Sequence, residues 1–221
     1  MRKILAPSLR GMKKNLVPGL ILQACALLIV VGYAISPGFH ALLDRIGELK
    51  SQYGFAYSAI ATALFGGFIP FIVLRATGQV NKGRATRELI FYVAFWCYKG
   101  IEVDAFYRLQ TMLFGTAASF GTIAAKTAVD MFVYNPLWAG PSQVLCFLWK
   151  NSNFSWSETR ASLRAESLTH RLLIIITSTW MVWLPAVAVI YSLPSALQIP
   201  LFNLVLCFWC LLYSFVSRAK S

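Results

Sequence analysis

Acidic residues are scarce in this sequence, with 8 Asp and Glu against 20 Lys and Arg in 221 residues, and His occurs only 2 times. Charged residues of both signs make up 13% of the chain. A water-soluble domain carries about 25%, so these charges could not cover a soluble core of this size. The same scarcity argues against a metal site. His40 and His170 lie far apart, and no His, Cys or carboxylate cluster has the spacing of a ligand set. There is no nucleophilic triad signature, no phosphate-binding glycine loop and no HExxH helix. An enzyme is therefore not expected, nor is a cofactor. The five cysteines, Cys25, Cys97, Cys146, Cys207 and Cys210, all fall in apolar stretches, which argues against a disulfide framework. Cys207-Phe-Trp-Cys210 has CxxC spacing but lacks the helix-start position that activates such thiols, and it reads as packing.

What is abundant is apolar surface: 58% of residues are hydrophobic and 14% aromatic. Between Lys14 and Asp44 a run of 29 residues carries no ionisable group except His40, residues 51–74 form a second run of 24, and residues 172–217 a third of 46. About 20 apolar residues cross a hydrocarbon core as a helix. The first two runs each span once, and the third spans twice with a turn at Pro194, flanked by Ser192, Ser195 and Gln198. The predicted helices are 17–39, 52–74, 172–191 and 199–217. The stretch from Glu88 to Lys150 is apolar but interrupted by charge, and two more helices fit it, 87–110 and 121–149, around the small-residue break GTAASFG at 115–121.

The basic residues then order themselves. Arg2, Lys3, Arg10, Lys13 and Lys14 precede the first run; Arg75, Lys82, Arg84 and Arg87 lie in one loop; Lys150, Arg160, Arg164 and Arg171 lie in another; Arg218 and Lys220 end the chain. The alternate loops, 40–51, 111–120 and 192–198, carry no net charge. With six crossings the positive-inside rule places both termini and both basic loops on one side. This predicts an all-α, polytopic transmembrane bundle of six helices. Its single membrane domain is 15–217, between a basic tail at 1–14 and a short basic tail at 218–221. Basic residues confined to one membrane face are orientation signals, so the net charge of +12 does not imply a nucleic-acid partner. The first apolar run is too long for a signal-peptide core and reads as the first crossing. The sequon at Asn153-Phe-Ser155 falls in a basic inside loop, where it is not expected to be glycosylated.

Six ionisable residues escape the orientation rule: Lys99, Glu102, Asp104, Arg108, Lys126 and Asp130. A charge at a helix centre costs about 2.5–3.5 kcal/mol on insertion scales and normally faces the bundle interior or a watery cavity. Lys126 and Asp130 are four apart, share a helix face and can pair. Lys99–Glu102 and Asp104–Arg108 are pairs at spacings of three and four that point in nearly opposite directions. Two readings stay open. Lys126 and Asp130, with Glu102 and Asp104, line or gate a solute path; alternatively, the pairs neutralise one another and lock the helices together, with Lys99 and Arg108 reaching for an interface. A faint likeness between 103–107 and 129–134 raises an inverted repeat, on two short aromatic matches.

Residues 81–217 resemble the twenty-two-kilodalton peroxisomal membrane protein family, which includes the Mpv and Sym proteins of the mitochondrial inner membrane. Asn81-x-x-Arg84-x-x-Arg87 is similar to the family's D-x-x-R-x-x-R loop, with Asn in place of the acid. Gly100 with Phe106-Tyr107-Arg108 is similar to its GP and W-Y-[KR] stretch. Lys126-x-x-x-Asp130-Met131 followed by Pro136 resembles K-x-x-x-D-Q…P, with Met in place of Gln. Trp183 and Pro185 resemble the W-P element, Leu193-Pro194 the V-P element, and Trp209 the late Trp, with Tyr213-Ser214 near the terminal L-S. Gln198 stands where the family has Arg, and the family's N-F and its first-helix G-D…Q are absent. The resemblance implies a divergent member, bacterial or organellar: a non-catalytic protein of the bacterial cell membrane, or of a mitochondrial inner or peroxisomal membrane. Its implied function is a weakly selective pore for ions or small metabolites, with the lipid bilayer, small solutes and further copies of the chain as partners. The alternative is a structural or assembly protein whose charged pairs serve packing. A lipid-processing enzyme has the least support.

Overall fold

The computed structural model describes residues 2–218. The side chains of residues 2–15, 18, 82, 178, 179, 181 and 212–218 lie outside that description, and with them the whole amino-terminal basic cluster and Tyr213-Ser214. The fold is all-α, and no strand occurs among the described residues. In chain order the helices are α1 (Arg2–Ile35), α2 (Pro37–Thr62), α3 (Ile69–Ala76), α4 (Ala85–Phe114), α5 (Phe120–Val129), α6 (Gly140–Asn151), α7 (Trp156–Ala165), α8 (Leu168–Tyr191) and α9 (Ser195–Arg218). Two π-helical segments make longer rods of these: Ala63–Phe68 joins α2 to α3, and Asp130–Ala139 joins α5 to α6.

Several boundaries differ from the sequence expectation. The first helix is already formed at Arg2 and stops at Ile35. Residues 40–51, expected as a loop, are helical. The Ser36 side chain caps α2 by accepting from the Phe39 amide at 3.4 Å, and Pro37 occupies the first turn, where its missing N–H leaves no helical bond unmade. The charges that made this stretch read as a loop lie on its outer face, with Asp44, Arg45 and Glu48 exposed, while Leu43, Gly47 and Lys50 turn inward at helical spacing. The break between this segment and the following apolar run is at Gly54, whose φ of 53° and ψ of −123° interrupt the helix. The loop 150–171 contains α7, and α9 starts at Ser195 rather than 199.

The helices pack around one main core. α1 lies along α8 and α9, α2 with its π turn lies against α4 and α9, and α5 and α6 close against α8. Leu22 and Ala26 of α1, Val103 and Tyr107 of α4, Met131, Val187 and Ile190 of α8, and Leu197 and Leu201 of α9 meet at its centre. The seam between α2 and α4 is built from small residues. A Cβ on Gly100 would collide with the Ser58 carbonyl oxygen and stand 2.7 Å from Thr62 Oγ1, and one on Gly67 would stand 2.8 Å from the Tyr92 carbonyl oxygen. Ser58, Ala59, Thr62, Ala63, Gly66 and Gly67 are buried along this line, the small-residue pattern that lets helix backbones approach closely without a hydrophobic driving force.

Large apolar side chains stand on the exterior as well as in the core, and several charged side chains are buried. Leu28 and Ile60 are each 70% exposed, Leu137 is 72% and Phe120 is 88%, whereas Lys50, Lys99, Asp104, Lys126 and Asp130 are all buried. Among the described residues one helix, Pro37–Ala76, is long and apolar enough to cross a membrane, or two if the bent pair Leu168–Thr177 and Val182–Tyr191 forms one broken span. That bend of 66° falls one turn before Pro185, where a proline ring displaces the preceding carbonyl. Gly19–Ile35 and Ser195–Leu211 are shorter apolar helices.

Candidate functional site

The six ionisable residues singled out in the sequence fall into three polar groups, each held by a different set of elements. The first surrounds Asp104 on α4. Its Oδ2 accepts from Lys50 Nζ at 2.9 Å and from Ser58 Oγ at 2.7 Å, both on α2, and its Oδ1 accepts from Arg108 Nε at 3.1 Å. Arg108 also lies over the Phe55 ring, 4.5 Å from its centroid. The expected Asp104–Arg108 pair forms, but the Lys50 contact was not legible because residues 40–51 were read as a loop. A carboxylate holding three donors on two helices is a bolt between α2 and α4.

The second group, on the other side of α4, centres on Glu102. Its Oε1 accepts from Lys99 Nζ at 2.7 Å and from the Tyr134 hydroxyl, and Lys99 also donates to Ser142 Oγ at 2.7 Å. The predicted Lys99–Glu102 pair is therefore present and ties α4 to the π segment and α6. Glu102 Oε2 is buried without a hydrogen-bond partner. The third group corrects the sequence reading. Lys126 and Asp130 do not pair, although they lie four residues apart. Lys126 Nζ reaches Thr111 Oγ1 at 3.5 Å and lies over the Tyr191 ring at 5.7 Å, whereas Asp130 Oδ2 accepts from the Tyr191 hydroxyl at 2.8 Å. Tyr191 of α8 thus takes a place between them that no spacing rule on one helix could supply. Gln110 joins this group, donating to the Lys126 carbonyl at 2.9 Å and to the Tyr191 oxygen at 3.4 Å.

A half-open cavity of about 830 Å³ lies among α3, α4, α6, α8 and α9. Gln79, Lys150, Asn151, Glu166 and Arg171 line one end, at the two basic loops; Tyr107, Asp130 and Met131 line it far along α4 and at the start of the π segment. Between these ends the wall carries Lys99, Tyr134, Asn135 and Gln143 among aromatic side chains that include Trp96, Trp183 and Trp209. Of the four residues singled out in sequence, Asp130 lines this cavity. Glu102 reaches it through Lys99 and Tyr134, and Asp104 and Lys126 lie elsewhere. The π segment that carries Asp130 contains Pro136, which can donate to no carbonyl of the preceding turn. π-helical insertions of this kind are frequent at functional sites.

The motif positions have local roles. The Asn81 side chain accepts from the Gly83 amide at 2.9 Å and starts the chain toward Arg84 and α4; Arg87 lies over the Phe154 ring at 5.7 Å. Tyr107 is buried against Tyr191, with ring centroids 5.0 Å apart. Trp183 and Trp209 meet edge to face at 6.3 Å. The Pro194 carbonyl accepts from the Leu197 amide at 2.8 Å in the turn that opens α9. Among the described residues no group of three or more His, Cys, Asp or Glu could hold a metal ion. Compared with known proteins, the chain matches no family model, no curated protein and no solved structure.

Proposed function

We propose that the chain is a multi-pass membrane protein of six crossings and that the half-open cavity is the vestibule of a weakly selective path for ions or small metabolites. The observation that carries this reading is the cavity itself: it leads from the two basic loops to a buried carboxylate, Asp130, inside a body whose exterior is apolar. In this arrangement α1, the part of α2–α3 after Gly54, α4, the rod α5–α6, α8 and α9 cross the bilayer. The segment 37–53 lies at the face opposite the basic loops, with its charged side outward. Arg75, Arg84, Arg87, Lys150, Arg160, Arg164 and Arg171 then share one side, as the positive-inside rule requires.

The same reading places the chain in the twenty-two-kilodalton peroxisomal membrane protein family as a divergent member. It is supported by the ordered motif positions, from Asn81 to Trp209. The packing function weighed in sequence is favoured for one group only: Asp104 has three donors and lies off the cavity. Recording from purified protein in planar bilayers tests the proposal. A conductance whose ion preference shifts in Asp130→Asn but not in a folded Lys50→Met/Asp104→Leu double variant is expected. Absence of conductance, or one indifferent to Asp130, would contradict it.

A further inference from the structure

Five charged residues line the cavity, Lys99, Asp130, Lys150, Glu166 and Arg171, and four of them are neutralised locally. Lys99 pairs with Glu102 at 2.7 Å, Lys150 with Glu88 at 3.7 Å, and Arg171 with Glu166 at 3.1 Å. Asp130 is the exception. It is 6% exposed, takes one hydrogen bond from Tyr191, and among the described residues has no cation within ion-pair reach. The cation nearest in sequence, Lys126, is held over the Tyr191 ring. A carboxylate in such surroundings loses its hydration, and a positive partner that enters the cavity recovers part of that loss.

The surrounding wall suits one kind of cation better than a bare metal ion. Tyr107, Tyr134, Trp96, Trp183, Phe202 and Trp209 line the same cavity, and aromatic faces attract organic ammonium groups while offering few oxygen ligands to a hard cation. A volume of about 830 Å³ falls in the range of sites that take whole small molecules, roughly 300–1,000 Å³. From this geometry we infer that the cavity is a binding site for a small organic ammonium compound, with the cationic nitrogen against Asp130 and its apolar groups against the aromatic wall. The inference gives the solute class of the proposed path and rests on that reading only for the direction of entry.

Binding can be read apart from transport. Trp96, Trp183 and Trp209 line the cavity, so tryptophan fluorescence of the purified full chain reports occupancy during titration with benzyltrimethylammonium, benzyl alcohol and benzoate. Saturable binding of the cation is expected, at least about tenfold tighter than the neutral alcohol or the anion, which is about 1.4 kcal/mol. Asp130→Asn removes that preference and leaves the alcohol unchanged. If that variant does not fold, Trp183→Leu in its place is expected to weaken the cation several-fold while the wild-type preference stands. No saturable binding, equal binding of the three probes, or an unchanged preference in folded Asp130→Asn overturns the inference. Cation binding without conductance overturns only the path; conductance without a cation preference at Asp130 overturns only the site.

Discussion

The buried charges separate by what faces them. Asp104 is surrounded by donors, so removing it strands Lys50, which is 5% exposed. Breaking one side of a buried pair costs about 3–5 kcal/mol, whereas replacing both sides with apolar groups is often neutral. Asp104→Leu is therefore expected to lower the thermal midpoint of the purified protein sharply, and Lys50→Met with Asp104→Leu to restore most of it. A double variant no more stable than the single one would remove Asp104 from its packing role. Gly100 is a second test at this scale. Because any Cβ there meets the Ser58 carbonyl oxygen and Thr62, Gly100→Ala should destabilise by about 1–3 kcal/mol, the usual range for overpacking, measured by denaturation in detergent; no loss would mean that α2 and α4 are not in close contact. The Lys99–Glu102 and Asp104–Arg108 pairs were legible in sequence because both partners lie on one helix. The Lys50–Asp104 and Tyr191–Asp130 contacts were not, since each joins residues at least 54 apart through helix packing that no spacing encodes.

Among the elements, apolar run length located the helical regions well and helix ends less well. The charges at Asp44, Arg45 and Glu48 hid a helix whose start signal, Ser36-Pro37, was present in the sequence all along. In place of the expected loop at 40–51, the interruption is a single residue, Gly54, with φ of 53°. A residue with a side chain held there costs on the order of 1–3 kcal/mol, so Gly54→Ala should lower stability by about that amount in the same denaturation measurement, while Gly38→Ala, with no atom near its Cβ position, should not. An equal response at both positions would argue that the interruption at Gly54 is not needed. The π segment was also invisible to periodicity, because one widened turn shifts the faces of a helix without changing its composition. Lys126 and Asp130 themselves remain one ordinary α turn apart, with the Asp130 amide donating to the Lys126 carbonyl; the i,i+4 pair fails because Tyr191 of α8 engages both side chains.

Across the whole molecule, buried charge and exposed apolar surface are what join the sequence to the proposed function. Composition alone indicated it, through 13% charge, and the structure adds a cavity that composition could not place, because its walls come from five helices. The proposed six-crossing arrangement predicts that cysteines introduced at 79 and 160 are modified from one side of the membrane and those at 117 and 194 from the other, in a background without the five native cysteines. The most direct measurement is the accessibility of position 130 itself. In oriented vesicles, Asp130→Cys is expected to react with a small membrane-impermeant cationic thiol reagent from the side that carries the basic loops and not from the other, where Tyr191 and Gln110 close the way. No reaction from either side, or reaction only from the side of residues 115–119, would contradict a cavity that leads from the basic loops to Asp130.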